Sequence, residues 1–153
     1  MNIVMIGPFA WTPKGTVRAR AFHMARALVK GGHQVTILLV PYDNPAEAGR
    51  EFELEGVQVR ELTITNPTLL SFLRDPLRLS RATLHHHPDV VHIFKPIGYS
   101  GLAGMWLAAF SRVPLVVDTD DWEGTGGWND VNPYPQFWKR FFDFQERWLP
   151  RHA

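Results

Sequence analysis

The sequence predicts an α/β domain of three layers, in which a mainly parallel sheet is covered by helices on both faces. Strand-like and helix-like segments alternate along the chain, and most strand-like segments are continuous apolar runs, as expected for strands buried on both faces. Residues 2–40 have the order strand, loop, helix, glycine, strand, which is a βαβ unit with parallel strands. A chain of 153 residues has the length of one domain.

Five segments have the composition of strands. They are 2–6, 34–40, 57–62, 89–94 and 114–117. The third alternates between apolar and polar residues, so we expect it to be more exposed than the others. The last is expected to be buried and to end at Asp118. The polar, acidic stretch 41–55 predicts an exposed loop.

Four segments have helical spacing, and the first follows the loop 7–15. Thr16 is its expected N-cap, an apolar stripe runs from Val17 to Leu28, and Gly31-Gly32 ends it. The second, 69–85, contains Pro76, which should kink or split it. Its expected inward residues are Leu70, Leu73, Leu77 and Leu84.

The third helical segment, 99–110, is small and apolar and is expected to be well buried. The fourth, 135–149, has an aromatic stripe that should face a large apolar partner. The stripe consists of Phe137, Phe141, Phe144 and Trp148. Its partner could be the domain's own sheet, another chain or a membrane surface.

Composition excludes several classes of protein. Sixteen Lys and Arg against fifteen Asp and Glu give a net charge of +1, which argues against a nucleic-acid-binding protein. The absence of cysteine excludes a disulfide scaffold, a thiol nucleophile and zinc sites with cysteine ligands. No segment has the pattern of a membrane span or a signal peptide, so we expect a cytoplasmic protein, with peripheral contact to the inner membrane face as an option.

Ligands of open parallel sheets bind at the carboxyl ends of the strands, so the loops 7–15, 94–100 and 118–130 are the candidate site. The first loop has neither the dinucleotide glycine pattern nor the Walker A pattern. Gly15-Thr16 lies at a helix start, where free N–H groups favour a phosphate, and Arg18 and Arg20 could add charge. The alternative is an ordinary capped helix with solvated arginines.

The other two loops carry polar and aromatic candidates. Residues 118–122 (DTDDW) follow a strand directly, and their carboxylates could orient sugar hydroxyls, act as a base or hold a metal. Trp122 and Trp128 are possible platforms for a sugar ring. Lys95 and Tyr99 follow the preceding strand and are possible ligand contacts. The alternative for 118–122 is an acidic, solvated turn. A more specific hypothesis is a cleft whose basic wall comes from residues 1–42 and whose acidic wall comes from residues 118–123.

Five segments taken together resemble the N-terminal domain of GT-B glycosyltransferases of family 4, across essentially the whole chain. They read NIVMIG, PKG, LVKGGHQVTIL, PDVVHIFKPIGYSGL and VPLVVDTDDWEG. The resemblance implies a Rossmann-like domain that forms half of a GT-B architecture and binds the acceptor. A C-terminal domain would bind the nucleotide-sugar donor, and transfer would retain the anomeric configuration without a metal or a cofactor.

The resemblance implies that Gly15 lies against the donor phosphates. From the local sequence, Thr16 and Arg18 are the other expected phosphate contacts. Asp120 falls where many members carry a histidine near the reacting sugar, and it is the catalytic candidate. The expected acceptor contacts are Lys95, Tyr99, Asp118 and Trp122.

Residues 1–153 are thus expected to be an acceptor-binding domain that is incomplete at its C-terminus and lacks the donor domain. We expect this chain to be inactive without a C-terminal half, which could be a separate chain. Two other functions are compatible with the sequence: a non-catalytic carbohydrate- or nucleotide-binding module, and an interaction subunit whose aromatic C-terminal helix docks a partner.

Overall fold

The structure, a computed structural model, describes residues 1–64 and 69–153. Within these residues six strands form one sheet in the order β3-β4-β2-β1-β5-β6, and all neighbours are parallel except β3 and β4. The strands are β1 (Asn2–Gly7), β2 (Gln34–Leu39), β3 (Glu51–Leu54), β4 (Val57–Glu61), β5 (Val90–Phe94) and β6 (Leu115–Asp118). The predicted α/β fold with a mainly parallel sheet is confirmed.

Helices cover both faces of this sheet. They are α1 (Phe22–Lys30), α2 (Leu69–His85), α3 (Gly98–Phe110), α4 (Trp128–Val131) and α5 (Gln136–Trp148). A π-helical turn, Val17–Ala21, leads directly into α1. Alternate residues of β1 separate the two cores, since Ile3 and Met5 pack with α1 while Val4 and Ile6 pack with α2 and α3. These are the three predicted layers.

The predicted loop at 41–55 is wrong over its last residues, because Glu51–Leu54 is a strand. This strand pairs antiparallel with β4, and Glu55 and Gly56 at the turn have φ of 50° and 81°. Two consecutive residues with positive φ are typical of a two-residue hairpin turn. The acidic residues hid the strand because they lie on its solvent-exposed edge.

The predicted inward face of α2 is wrong, whereas its range is correct. Leu70 and Leu73 are 70% and 60% exposed, and Pro76 lies inside the helix without ending it. The buried face carries Ser80, whose hydroxyl donates to the carbonyls of Pro76 and Ala103 at 2.9 and 3.2 Å. Small polar side chains with backbone partners therefore allow α2 to approach α3 closely.

Two other segments are less buried than predicted. The strand β6 lies at the edge of the sheet, and Val116 is 51% exposed. On α3, Trp106 and Phe110 point outward and are 43% and 74% exposed. A uniformly apolar helix gives no signal of which side faces solvent.

Candidate functional site

A cavity of about 620 Å³ opens at the carboxyl ends of the parallel strands. Its walls come from the loops after β1, β2, β5 and β6 and from α2, α3, α4 and α5. Eight of its seventeen lining residues are aromatic, so the interior is mostly apolar with a few polar groups. This composition is typical of small-molecule sites.

The loop after β1 is held in place by three carboxylates. The backbone N–H groups of residues 10–12 donate in order to Asp43 at 2.8 Å, Glu61 at 2.7 Å and Glu47 at 2.9 Å. The acids come from the connection between β2 and β4 and from the end of β4. The loop therefore enters the site with its backbone fixed. Sequence reasoning missed this function because Asp43 and Glu47 lie in a predicted solvated loop and Glu61 in a strand predicted to be more exposed than the others.

Two of these carboxylates have shifted pKa values of opposite sign. Burial raises the pKa of Glu61 to about 7, and its interaction with Glu47 adds to this effect. Burial alone would also raise the pKa of Glu47, but the hydrogen bonds from Thr12 outweigh burial and lower this pKa. Glu61 is the group of the pair that holds a proton near neutral pH.

The turn at Gly15 is open toward solvent. A Cβ placed on Gly15 would meet no atom within 4 Å. The carbonyl of Gly15 accepts from the N–H of Ala19 at 2.7 Å, so Gly15 begins the helix. The predicted N-cap role of Thr16 is wrong, because Thr16 is already helical (φ −57°, ψ −47°) and its side chain makes no capping bond. Its side chain lies in the cavity wall instead.

Arg20 joins the first loop's helix to the loop after β6. It binds Asp118 with two hydrogen bonds of 3.0 and 2.7 Å, and its Nε lies 3.2 Å from Asp120 Oδ1. Burial alone would raise the pKa of Asp118, but the hydrogen bond from Arg20 outweighs burial and lowers this pKa. Arg20 therefore pairs directly with the acidic loop at Asp118 and Asp120. Lys14 lines the cavity together with the acidic residues Asp121 and Glu123.

Asp120 has a special backbone geometry at this rim. Its φ is 53°, in the left-handed region, and its N–H donates to Asp118 Oδ1 at 3.1 Å. Arg20, Asp118 and Asp120 thus form one connected polar group. These three residues do not line the cavity, whereas the next residue in sequence, Asp121, does.

Lys95 supplies the buried charge of the cavity. It is 7% exposed, has a φ of 52° and forms an ion pair with Glu123, which is 6% exposed. Asp121 Oδ2 lies 3.8 Å from the ammonium, and the ring centroid of Phe9 lies 5.7 Å away. Sequence reasoning found Lys95 and missed Glu123, although Glu123 ends the acidic run that begins at Asp118.

The helix α5 braces the two loops that carry this pair. Gln145 is fully buried; its Oε1 accepts from the N–H of Gly98 at 2.8 Å, and its Nε2 donates to the Gly98 carbonyl at 3.3 Å. Asp143 accepts from the N–H of Thr125 at 2.7 Å. The predicted inward aromatic stripe is wrong in part, since Phe137 and Phe144 are 69% and 47% exposed. Backbone N–H and carbonyl groups of the loops need polar partners, and α5 provides them.

The predicted site residues divide into two groups. Thr16, Lys95 and Tyr99 line the cavity. The others, Gly15, Arg18, Asp118, Asp120 and Trp122, are not among the lining residues. At the rim the Trp122 indole donates to the Thr125 carbonyl at 2.9 Å. The roles assigned to all of them remain predictions.

Neither a metal-binding cluster nor a membrane-spanning helix is present in the part of the chain that the structure describes. Residues 1–64 and 69–153 hold no group of three side chains that could bind a metal ion. In the same ranges, the helices are too short or too polar to cross a membrane.

Comparisons with known proteins agree with the fold. The sequence matches the family model described as a glycosyl transferase 4-like domain over residues 15–153. The structure is similar to a glycosyltransferase from Rickettsia africae ESF-5, with 17% identity and a TM-score of 0.53 over 92% of this chain and 33% of that one. It is also similar to a protein designated a UDP-N-acetylglucosamine 2-epimerase from Listeria monocytogenes, with 17% identity and a TM-score of 0.55 over 94% of this chain and 36% of that one. The chain spans about a third of the length of each structure. A comparison with curated proteins gives no match.

Proposed function

The chain belongs to the glycosyl transferase 4-like domain family, and on that premise we propose that it is the acceptor-binding half of a retaining, nucleotide-sugar-dependent glycosyltransferase. One observation carries the proposal. An aromatic-lined cavity and an open glycine turn at a helix start meet at the same edge of a parallel sheet. The cavity suits an acceptor, and the turn suits the diphosphate of a donor.

On the donor side, Gly15, Thr16 and Arg18 contact the phosphates. A helix start carries a partial positive charge and N–H groups that lack intrahelical partners. Gly15 leaves room for an oxygen to approach the backbone. These groups stabilise the negative charge that develops on the departing diphosphate.

On the acceptor side, Lys95 and Tyr99 contact the bound molecule inside the cavity. The Lys95–Glu123 pair positions the reacting hydroxyl, because its polar atoms are held in a mostly apolar wall. Asp118 and Trp122 contact the parts of the acceptor that project beyond the cavity. Asp120 is the catalytic candidate, adjacent in sequence to the lining residue Asp121.

Transfer needs a second domain that holds the nucleotide and faces this edge of the sheet. It can be part of the same polypeptide or a separate chain, and residues 1–153 without it are inactive. The nucleotide sugar is a co-substrate, and the reaction uses no cofactor. A chain without cysteine suits the reducing cytoplasm.

Calorimetry with UDP-glucose and GDP-mannose tests the donor side, with and without a supplied donor domain. We expect Gly15→Ala and Arg18→Gln each to weaken donor binding about tenfold. The first variant places a methyl group where the phosphate approaches the backbone, and the second removes a positive charge beside it. Lys30→Gln, at the far end of the same helix, is the matched control and should leave binding unchanged.

Turnover that occurs only when this chain and the donor domain are both present supports the glycosyltransferase. Sugar or nucleotide binding by the lone chain without turnover in either case would favour a binding module. A tight complex of the two proteins that lacks affinity for nucleotide sugars would favour an interaction subunit. Equal losses in Arg18→Gln and Lys30→Gln would remove the proposed phosphate position.

A further inference from the structure

Aromatic rings form a continuous path from the interior of the cavity to its outside. Five ring contacts connect six side chains, with centroid distances of 5.9, 5.5, 5.4, 4.6 and 5.4 Å. In order they are Phe9, Tyr42, Tyr99, Phe72, Trp138 and Phe137. We call this path the aromatic track.

The two ends of the aromatic track differ in polarity. At the Phe9 end, the ammonium groups of Lys14 and Lys95 lie 4.3 and 5.7 Å from the ring centroid. The Lys95–Glu123 pair and Thr16 line the same cavity. At the other end Phe137 is 69% exposed, and its partner Trp138 has Phe141 and Phe142 as further ring neighbours. The track thus runs from charged groups to a cluster of aromatic rings on α5.

The aromatic track is not an ordinary packed core. Protein interiors are close-packed, whereas five of its six members line an open cavity of about 620 Å³. Tyr42 is 42% exposed and Phe137 is 69% exposed. These rings are therefore arranged around space that a ligand can fill.

We propose that the acceptor is an amphiphile, with a hydroxyl-bearing head beside Lys95 and Glu123 and an apolar chain along the aromatic track. The inference rests on the proposed function and names the substrate class of the same site. A chain of sugars can stack on aromatic faces, but it would also need hydrogen-bonding groups along its whole length. The section from Phe72 to Phe137 offers aromatic faces instead, which suit methylene groups.

Calorimetry with alkyl glucosides tests this inference on the complete chain. The probes are methyl β-D-glucoside and octyl β-D-glucoside, the latter below its critical micelle concentration, so that the head is constant and the chain changes. Full burial of one methylene strengthens binding about fourfold. We expect octyl glucoside to bind at least about 100-fold more tightly than methyl glucoside, since a chain on an open track is partly buried.

A neighbouring pair of variants on α2 locates the chain. Phe72→Ala removes a ring from the middle of the track and should weaken octyl glucoside binding about tenfold. Leu73→Ala is the matched control, because Leu73 is 60% exposed and does not line the cavity. Phe137→Ser, at the exposed end, preserves the core and should weaken octyl binding about threefold. Methyl glucoside should bind all of these proteins equally.

Three results would overturn the inference. Methyl glucoside binding as tightly as octyl glucoside would assign a polar acceptor. Equal losses in Phe72→Ala and Leu73→Ala would show adventitious detergent binding. Unchanged octyl binding in both Phe72→Ala and Phe137→Ser would place the chain elsewhere. The assay contains no donor, so failure here leaves the donor-binding test intact, and failure of donor binding leaves the chain-length dependence intact.

Discussion

Glu146 is buried on α5 to 2% exposure, and neither of its carboxyl oxygens has a hydrogen-bond partner within the described ranges. Burial raises its pKa to about 7. The charged groups that face it are Glu123, Lys95 and Asp143, and the backbone N–H of Glu123 also points toward it. Glu146 therefore lies directly behind the ion pair of the cavity and exchanges a proton near neutral pH.

This burial predicts a pH-dependent stability. A carboxyl with a raised folded pKa contributes stability that is fully present below its ordinary pKa and is lost as the pH rises toward 7. Glu146→Gln should nearly match the parent protein near pH 4.5 and exceed its free energy of unfolding by about 3 kcal/mol at pH 8. Urea denaturation between these pH values measures the difference. Glu53→Gln, on an exposed strand, is the control, and parallel profiles for Glu146→Gln and the parent would contradict the prediction.

Single residues of the site were predictable where a local pattern carried the information. A strand end followed by a polar residue placed Lys95 and Tyr99 in the cavity wall. Glu61 and Glu123 were missed because each acts through a distant partner, Trp11 in one case and Lys95 in the other. A single sequence does not record which distant groups an acid will meet.

The elements of the chain differ in how well their sequence patterns predicted them. Continuous apolar runs identified the interior strands β1, β2 and β5, because burial on both faces leaves no other composition. The inward faces of α2 and α5 were misjudged, because both helices use polar side chains toward backbone groups. On α5 the apolar face is shared between the cavity and solvent, as Phe142 and Phe137 illustrate. Hydrophobic periodicity cannot separate a cavity wall from a core.

The close approach of α3 to α5 predicts unequal costs for two glycines of α3. A Cβ on Gly101 would lie 2.5 Å from the Pro96 carbonyl oxygen and 2.6 Å from Gln145 Nε2. A Cβ on Gly104 would meet the flexible ends of Ile93 and Leu149 at 2.7 and 2.8 Å. Gly101→Ala should therefore lower the free energy of unfolding by about 3 kcal/mol.

Gly104→Ala should cost less than about 1 kcal/mol, because side-chain ends can move and alanine favours a helix by about 1 kcal/mol over glycine. Urea denaturation of both variants measures the two costs. A larger loss of unfolding free energy in Gly104→Ala than in Gly101→Ala would contradict this prediction. It would show that the backbone at Pro96 shifts more readily than the side chains of Ile93 and Leu149.

On the scale of the whole molecule, the sheet brings three separate loops to one edge. The βαβ unit predicted this convergence, since parallel strands end at the same side. Arg20 and Asp118, which are 98 residues apart, meet there through two hydrogen bonds. The sequence could not predict that the basic and acidic groups would join, because only the packed loops set their distance.

The contact between a donor diphosphate and the Gly15 turn is observed most directly by titrating the ¹⁵N-labelled chain with UDP and GDP while recording its amide signals. Binding to this half alone is expected to be in the millimolar range, because a second domain holds most of the nucleotide. The amide signals of Gly15, Thr16 and Arg18 should move furthest. Shifts confined to other parts of the sheet, or a spectrum that both nucleotides leave unchanged, would contradict the assignment of this turn to the phosphates.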